Sequence, residues 1–293
     1  MSQFLSKGIP GGKRMRIIDT FGTMSSCFID DQFDLEAWRK YTKTFSCELS
    51  EKCEQDSEQY DFKKEIVPVV NDVFWKKEAA CQANASFLAV TKQLSRNIHR
   101  LFQNEMDVDI LLYLGLCNGA GWATTLDGRT AVLLGIEKII ELNWQSESSM
   151  QALLFHELGH IWHKTYGVFR PETHTAGEDT LVQLYQEGIA MVCEQILCQN
   201  DRLYHQDQEG WLEWCTANQA EIKQEYLYRI DHNISAHGFF GDWCQYKGHS
   251  DVGYYLGCEF IKYLQQQYSL AEIANLKISQ LYQLFKTFAA LNG

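Results

Sequence analysis

Proline is scarce in this chain, three in 293 residues, and neither a low-complexity linker nor an internal repeat breaks it up. Composition therefore marks no hinge between domains. Long apolar runs are lacking as well. The longest, near "ILLYLGLC", falls far short of the roughly 20 residues of a membrane-spanning helix. The opening stretch "MSQFLSKGIPGGKRMRIID" has no apolar core of signal-peptide length, so a cytoplasmic location and no membrane partner are expected. Positive charge is in deficit: 26 Lys and Arg face 38 Asp and Glu, for a net charge of -12 and a pI near 5.2. Such a surface repels phosphate backbones, which argues against a nucleic-acid partner. Nucleotide and serine-hydrolase signatures are missing too. There is no P-loop and no GxGxxG, and "GHSDVG" has one residue too many after its serine for a GxSxG elbow.

Cysteine is not scarce, with ten residues, but no CxxC pair occurs. Cys193 and Cys198 are five apart on an expected helix, a poor spacing for a bridge. The cysteines read as reduced and mostly packed. The sequons at Asn84 and Asn233 are then chance matches.

What is present is mostly helical. "FDLEAWRKYTKTFSCELSEKCEQ", "YDFKKEIVPVVNDVFWKKEAACQ" and "SFLAVTKQLSRNIHRLFQ" carry apolar residues at helical spacing, with Asp34 and Ser86 as expected N-caps. Trp38, Phe62, Phe74 and Trp75 are expected to pack in a core. Near residue 108 the character changes. "DILLYLGLC" predicts a short buried strand, and "NGAGWATTLDGRTAVLLGIEKI", with its Asp-Gly, predicts a hairpin. Helices resume with "SESSMQALLFHELGHIWHKTYG", capped by serines and closed by Gly167. "EDTLVQLYQEGIAMVCEQILCQN" follows, with Asp179 or Thr180 as its expected cap, and further helices complete the chain. The expected class is α+β with helix dominant: a helical region over residues 1–104, then residues 105–293, or one compact unit of both.

Inside the apolar run 153–161 stand His156, Glu157 and His160. Residues four apart on a helix lie about 40° apart around its axis, so the two imidazoles can converge on one ion at about 2.0–2.1 Å. Glu157, offset from His156 by about 100°, stands beside that ion rather than on it, where it can serve a water. This is the geometry that the HExxH zinc motif uses. Gly159 leaves room for a neighbouring backbone. A buried His-Glu-His group without metal is the alternative. A third ligand is still needed. His163 lies about 10 Å along the axis from His156, too far for one ion, and reads as supporting the site from behind or as solvated surface. The pattern HExxHxxGxxH is absent. Glu187, 27 residues past His160 on the next expected helix, is the preferred ligand, and Gly188 beside it would let those two helices approach. Glu178, Asp179, Glu194 and His174 compete for the same role.

"HELGH" followed by "EGIA" resembles the gluzincin metallopeptidases and, more narrowly, a family of predicted zinc-dependent proteases. The resemblance takes in "NGAGWATTLDGRTAVLLGIEKI" and "VGYYLGCEFIKYL" and covers roughly residues 105–290. It implies a small sheet whose edge strand lines a cleft, an active-site helix and a helical second half. It also implies a zinc cofactor held by His156, His160 and Glu187, with Glu157 as general base. The Gly-x-Met-Glu-Asn aminopeptidase signature is missing, so endopeptidase and exopeptidase modes both stay open. A donor for the developing oxyanion is expected from "GHSDVGYYLG". Tyr254 is favoured there over Tyr255 and His249, with His232 and His237 as weaker options. A peptide or protein substrate would add as a strand along residues 119–125, using Gly121, Trp122 and Ala123, although a plain hairpin with a packed Trp122 fits as well. A non-enzymatic metal-binding protein and a hydrolase of a non-peptide amide are the rival functions.

Overall fold

Residues 15–102 and 106–291 are described in the computed structural model of the chain. Strand β1 (Arg16–Asp19) comes first, then helix α1 (Phe21–Met24) and the two-stranded hairpin β2 (Phe28–Ile29) and β3 (Gln32–Phe33). Helices α2 (Leu35–Thr42), α3 (Leu49–Ser57), α4 (Val67–Trp75) and α5 (Lys77–Ile98) follow. Asp34 caps α2 as expected, its carboxylate accepting from the Ala37 N–H at 2.7 Å. Ser86 does not cap a helix. α5 runs through it unbroken, because no proline or glycine interrupts residues 77–98, and its hydroxyl donates instead to the Gln145 carbonyl. Trp38 is fully buried and donates its indole N–H to the Leu114 carbonyl at 2.8 Å. Trp75 does not join the core. It ends the nine-residue α4, stands 59% exposed, and packs edge-on against Phe74.

The main sheet has the order β1-β4-β6-β5, made with β4 (Asp109–Tyr113), β5 (Gly121–Leu126) and β6 (Arg129–Gly135). β1, β4 and β6 run parallel, and β5 is antiparallel to β6 at the edge. β4 is an inner strand buried along its whole length, which explains its unbroken apolar "ILLY". The expected hairpin is β5 and β6. Asp127 and Gly128 form its turn with φ of 47° and 75°, the left-handed pair that a two-residue connection requires. β1 belongs to this sheet, so the pairing with β4 crosses residue 104, and one continuous apolar core includes residues from both sides of that position.

The helical remainder consists of α6 (Ile136–Glu141), α7 (Glu147–Tyr166), α8 (Ala176–Cys198), α9 (Trp211–Ala217), α10 (Gln219–Asp231), α11 (Val252–Leu264), α12 (Leu270–Ile273) and α13 (Ile278–Ala290). Helix dominates, and the fold class is α+β. Ser146 caps α7 by accepting from the Ser149 N–H, and the Gly167 N–H closes it on the His163 carbonyl. α7 lies against β5 and β6 on one side and against α8 on another. Gly159 makes the second contact possible, since a Cβ there would fall 2.8 Å from the Cα of Ala190. Gly188 does not face α7. It meets Gly257, so this glycine pair brings α8 and α11 together. α8 also starts earlier than expected. Thr175, in extended conformation, accepts from the Glu178 N–H, which leaves Glu178 and Asp179 in a first turn where negative charge is favoured. All ten cysteines are unpaired thiols, five of them buried. Among the described residues no helix is long and apolar enough to cross a membrane.

Candidate metal centre

α7 carries His156 and His160 one turn apart, with ring centroids separated by 4.9 Å. α8 brings Glu187 across to them. One carboxylate oxygen, Oε2, lies 3.2 Å from His156 Nε2 and 3.3 Å from His160 Nε2. Those two lengths bear on the kind of site. Ligands about 2.0–2.1 Å from a tetrahedral ion stand about 3.3–3.4 Å from one another. A charge-assisted hydrogen bond between the same groups closes to about 2.7–2.9 Å. The three atoms therefore have the spacing of a ligand set and could hold a zinc ion. Electrostatics agrees with that donor chemistry. Burial alone would push the Glu187 carboxyl up, yet the imidazoles of His160 and His156 outweigh it and hold the group well below the usual carboxylate range. Burial would push His156 down, yet the carboxylates of Glu187 and Glu194 against its two ring nitrogens outweigh it and raise the imidazole to about 10. The pocket is built to surround positive charge.

Glu157 faces the sheet. A Cβ on Gly121, the first residue of β5, would fall 2.8 Å from the Glu157 Cδ, so only glycine leaves this carboxylate its place. Gly121, Trp122, His156, Glu157, Glu187 and Tyr254 help to line one cavity of about 470 Å³, and Ala123 joins them on its wall. β5 is the edge strand, so its outer main-chain groups border this cavity and, among the described residues, have no strand partner on that side. Tyr254 on α11 places its ring 5.6 Å from that of His156. Burial, with Glu187 and Asp251 nearby, keeps its hydroxyl protonated well above the ordinary range.

The other candidates lie elsewhere. Tyr255 is buried against Tyr204 and Trp211, and His249 stacks on Trp214 at 3.9 Å. His232 stacks on Tyr228, and His237 is exposed with its carbonyl accepting from Arg229. Glu178 accepts from the His174 N–H, and Asp179 accepts from the Thr173 hydroxyl, so these groups complete the start of α8 rather than a ligand set. His163 is not on the surface. It is fully buried, edge-on to Tyr185 at 4.9 Å and to Phe169 at 5.3 Å, and burial lowers it to about 3. Its side of α7 is covered by α8, which the spacing within α7 alone does not reveal.

Of two further neighbours, the sequence names Glu194 only in another role and gives no sign of His205. Glu194, weighed there as a rival ligand, is fully buried behind His156, its Oε2 3.4 Å from His156 Nδ1. His205, from the connection between α8 and α9, lies 2.8 Å from the same oxygen. Glu194 falls two turns beyond Glu187 on one face of α8, a detectable signal. His205 lies outside any periodic element and offers none. The chain matches no family model, no curated protein and no solved structure, so the family resemblance stands on the quoted residues alone.

Proposed function

We propose that this protein is a zinc-dependent peptidase of gluzincin type acting on peptides or small proteins. The observation that carries the reading is the tetrahedral-edge spacing of His156, His160 and Glu187 beside a carboxylate, Glu157, that a glycine on the edge strand makes room for. Bound there, zinc would supply a Lewis acid and a water acidified toward neutral pH. The protein's own groups do the rest. Glu157, 6% exposed and next to the ligands, takes the proton of the attacking water and returns it to the leaving amine. Tyr254, kept protonated, donates toward the oxyanion that develops on the scissile carbonyl. The free edge of β5 from Gly121 to Ala123 hydrogen-bonds a substrate main chain as an added strand, with Trp122 bordering a side-chain pocket. A purely structural zinc site commonly has four protein ligands and no use for Glu157 or an adjoining cavity, which favours an enzyme over a metal-binding adaptor. The acidic chain of net charge -12 fits a cytoplasmic protein with neither nucleic acid nor membrane as partner.

The test pairs metal analysis with peptide turnover. Wild-type protein should carry about one zinc per chain and cleave members of a random peptide library. Glu157→Gln should keep the zinc and lose turnover by at least about 100-fold. A Glu157→Gln protein as active as wild type, or a wild-type protein without zinc, refutes the proposal.

A further inference from the structure

Glu194 and His205 stand behind the metal ligands, and the peptidase steps make no use of either. We propose that His205 is a positioning residue for the metal centre: acting through Glu194, it fixes the ring and tautomer of His156 and so sets the affinity for zinc. The inference rests on the zinc reading above.

Glu194 is 0% exposed, and a carboxylate without water must be satisfied by protein donors. Its Oε2 lies 2.8 Å from His205 Nδ1 and 3.4 Å from His156 Nδ1. An ionised carboxylate only accepts, so His205 Nδ1 carries hydrogen and donates to it, while the same oxygen, 3.4 Å from His156 Nδ1 and beyond direct hydrogen-bond length, sets a negative charge against that nitrogen and favours hydrogen there. The other nitrogen of His205 lies 2.9 Å from the Gln206 amide nitrogen, a group that only donates, so His205 Nε2 is placed to accept from it. On His156, hydrogen favoured at Nδ1 leaves Nε2, the atom that faces Glu187, as the nitrogen that gives up its proton to take the ion. The order Gln206, His205, Glu194, His156 thus ends with the ligand in the one tautomer that can bind the ion. Trp144 holds the His205 ring from the side, edge-on at 4.9 Å. His156, Glu194 and His205 also cluster closely enough to suggest a second cation site. The 2.8 Å contact argues otherwise, since it has hydrogen-bond length and is shorter than the ligand–ligand edge of about 3.3–3.4 Å.

The test uses the full chain. Zinc affinity is read by competition with a chromophoric chelator, the visible spectrum is recorded with cobalt in place of zinc, and the melting of metal-free protein serves as the control for folding. His205→Ala should weaken zinc binding by about 10–100-fold and alter the cobalt spectrum. His205→Asn, which keeps a donor nitrogen near the Nδ1 position, should restore most of the affinity, whereas His205→Gln, whose nitrogen falls near Nε2, should not. On a Glu194→Gln background, His205→Ala should add less than about threefold, because the two residues act in series. Wild-type affinity in His205→Ala, or equal losses in the Asn and Gln variants, overturns the positioning role. If His205→Ala fails to fold, the Asn and Gln pair decides alone. A wild-type protein that takes up no zinc overturns the zinc reading itself, and this result is distinct from the others.

Discussion

Gly121→Ala probes the proposed general base, Glu157, without altering a proposed ligand. The added Cβ would sit 2.8 Å from both Cγ and Cδ of Glu157. Carbon atoms rest at about 3.5–4.0 Å, so the Glu157 carboxylate must move by about 0.7 Å or more. The moving group is the far end of a flexible side chain beside a cavity, so the fold can absorb the change, with a stability loss within about 1 kcal/mol. Catalysis cannot absorb it as easily. A misplacement approaching 1 Å in a reacting geometry costs about 100-fold, equivalent to about 2.7 kcal/mol of barrier. Zinc occupancy should stay at the wild-type level, because the three atoms nearest the added Cβ all belong to Glu157 and none to His156, His160 or Glu187. The assay is kcat for a peptide substrate alongside metal content and a denaturant midpoint. Wild-type kcat in Gly121→Ala would refute the claim that the edge strand and Glu157 share one tightly bounded space. A loss of zinc would refute the claim that the base and the ligand set are separable.

Three further outcomes follow from the same geometry. Glu187→Ala should abolish stable zinc binding, seen as loss of metal after gel filtration; unchanged occupancy removes Glu187 from the ligand set. Gly159→Val should destabilise the protein by about 3 kcal/mol or more, since its Cβ would fall 2.8 Å from the Ala190 Cα and backbone cannot yield as a side chain does; chemical denaturation measures it, and a loss below about 1 kcal/mol would contradict the close α7–α8 approach. Asp109 on β4 joins Arg16 of β1 and Arg129 of β6. Burial would raise its carboxyl, yet the two guanidinium groups hold it below the ordinary value. Its contribution is therefore fully present above the unfolded value of about 3.9 and is lost as pH falls through the lower folded value. Asp109→Asn should lower stability at pH 7 and flatten the acid limb of the stability profile below about pH 4, which thermal melts at several pH values would check.

Within a single element the sequence was a sufficient guide, because helix and strand geometry convert spacing directly into direction. His156 and His160 share a face at four residues' separation, Gly159 is needed where a backbone approaches, and Asp127-Gly128 turns the hairpin, all by local rules. Local rules misplaced what packing decides. Ser86 has the chemistry of a cap but no helix break beside it, and Trp75 has the chemistry of a core residue but stands exposed at a helix end. Gly188 meets α11 rather than α7, because a glycine reveals a close approach without naming the partner. The arrangement of the centre depends on distant segments in the same way. Glu187 reaches the imidazoles because α8 packs along α7. His205 reaches Glu194 from a connection with no periodicity, and Gly121 meets Glu157 because β5 borders α7. The chain's order by itself determined the donor types and their local aim. Only tertiary packing decided which distant side chains meet, since convergence across 27 residues or more is set by how faces bury one another rather than by spacing along the backbone.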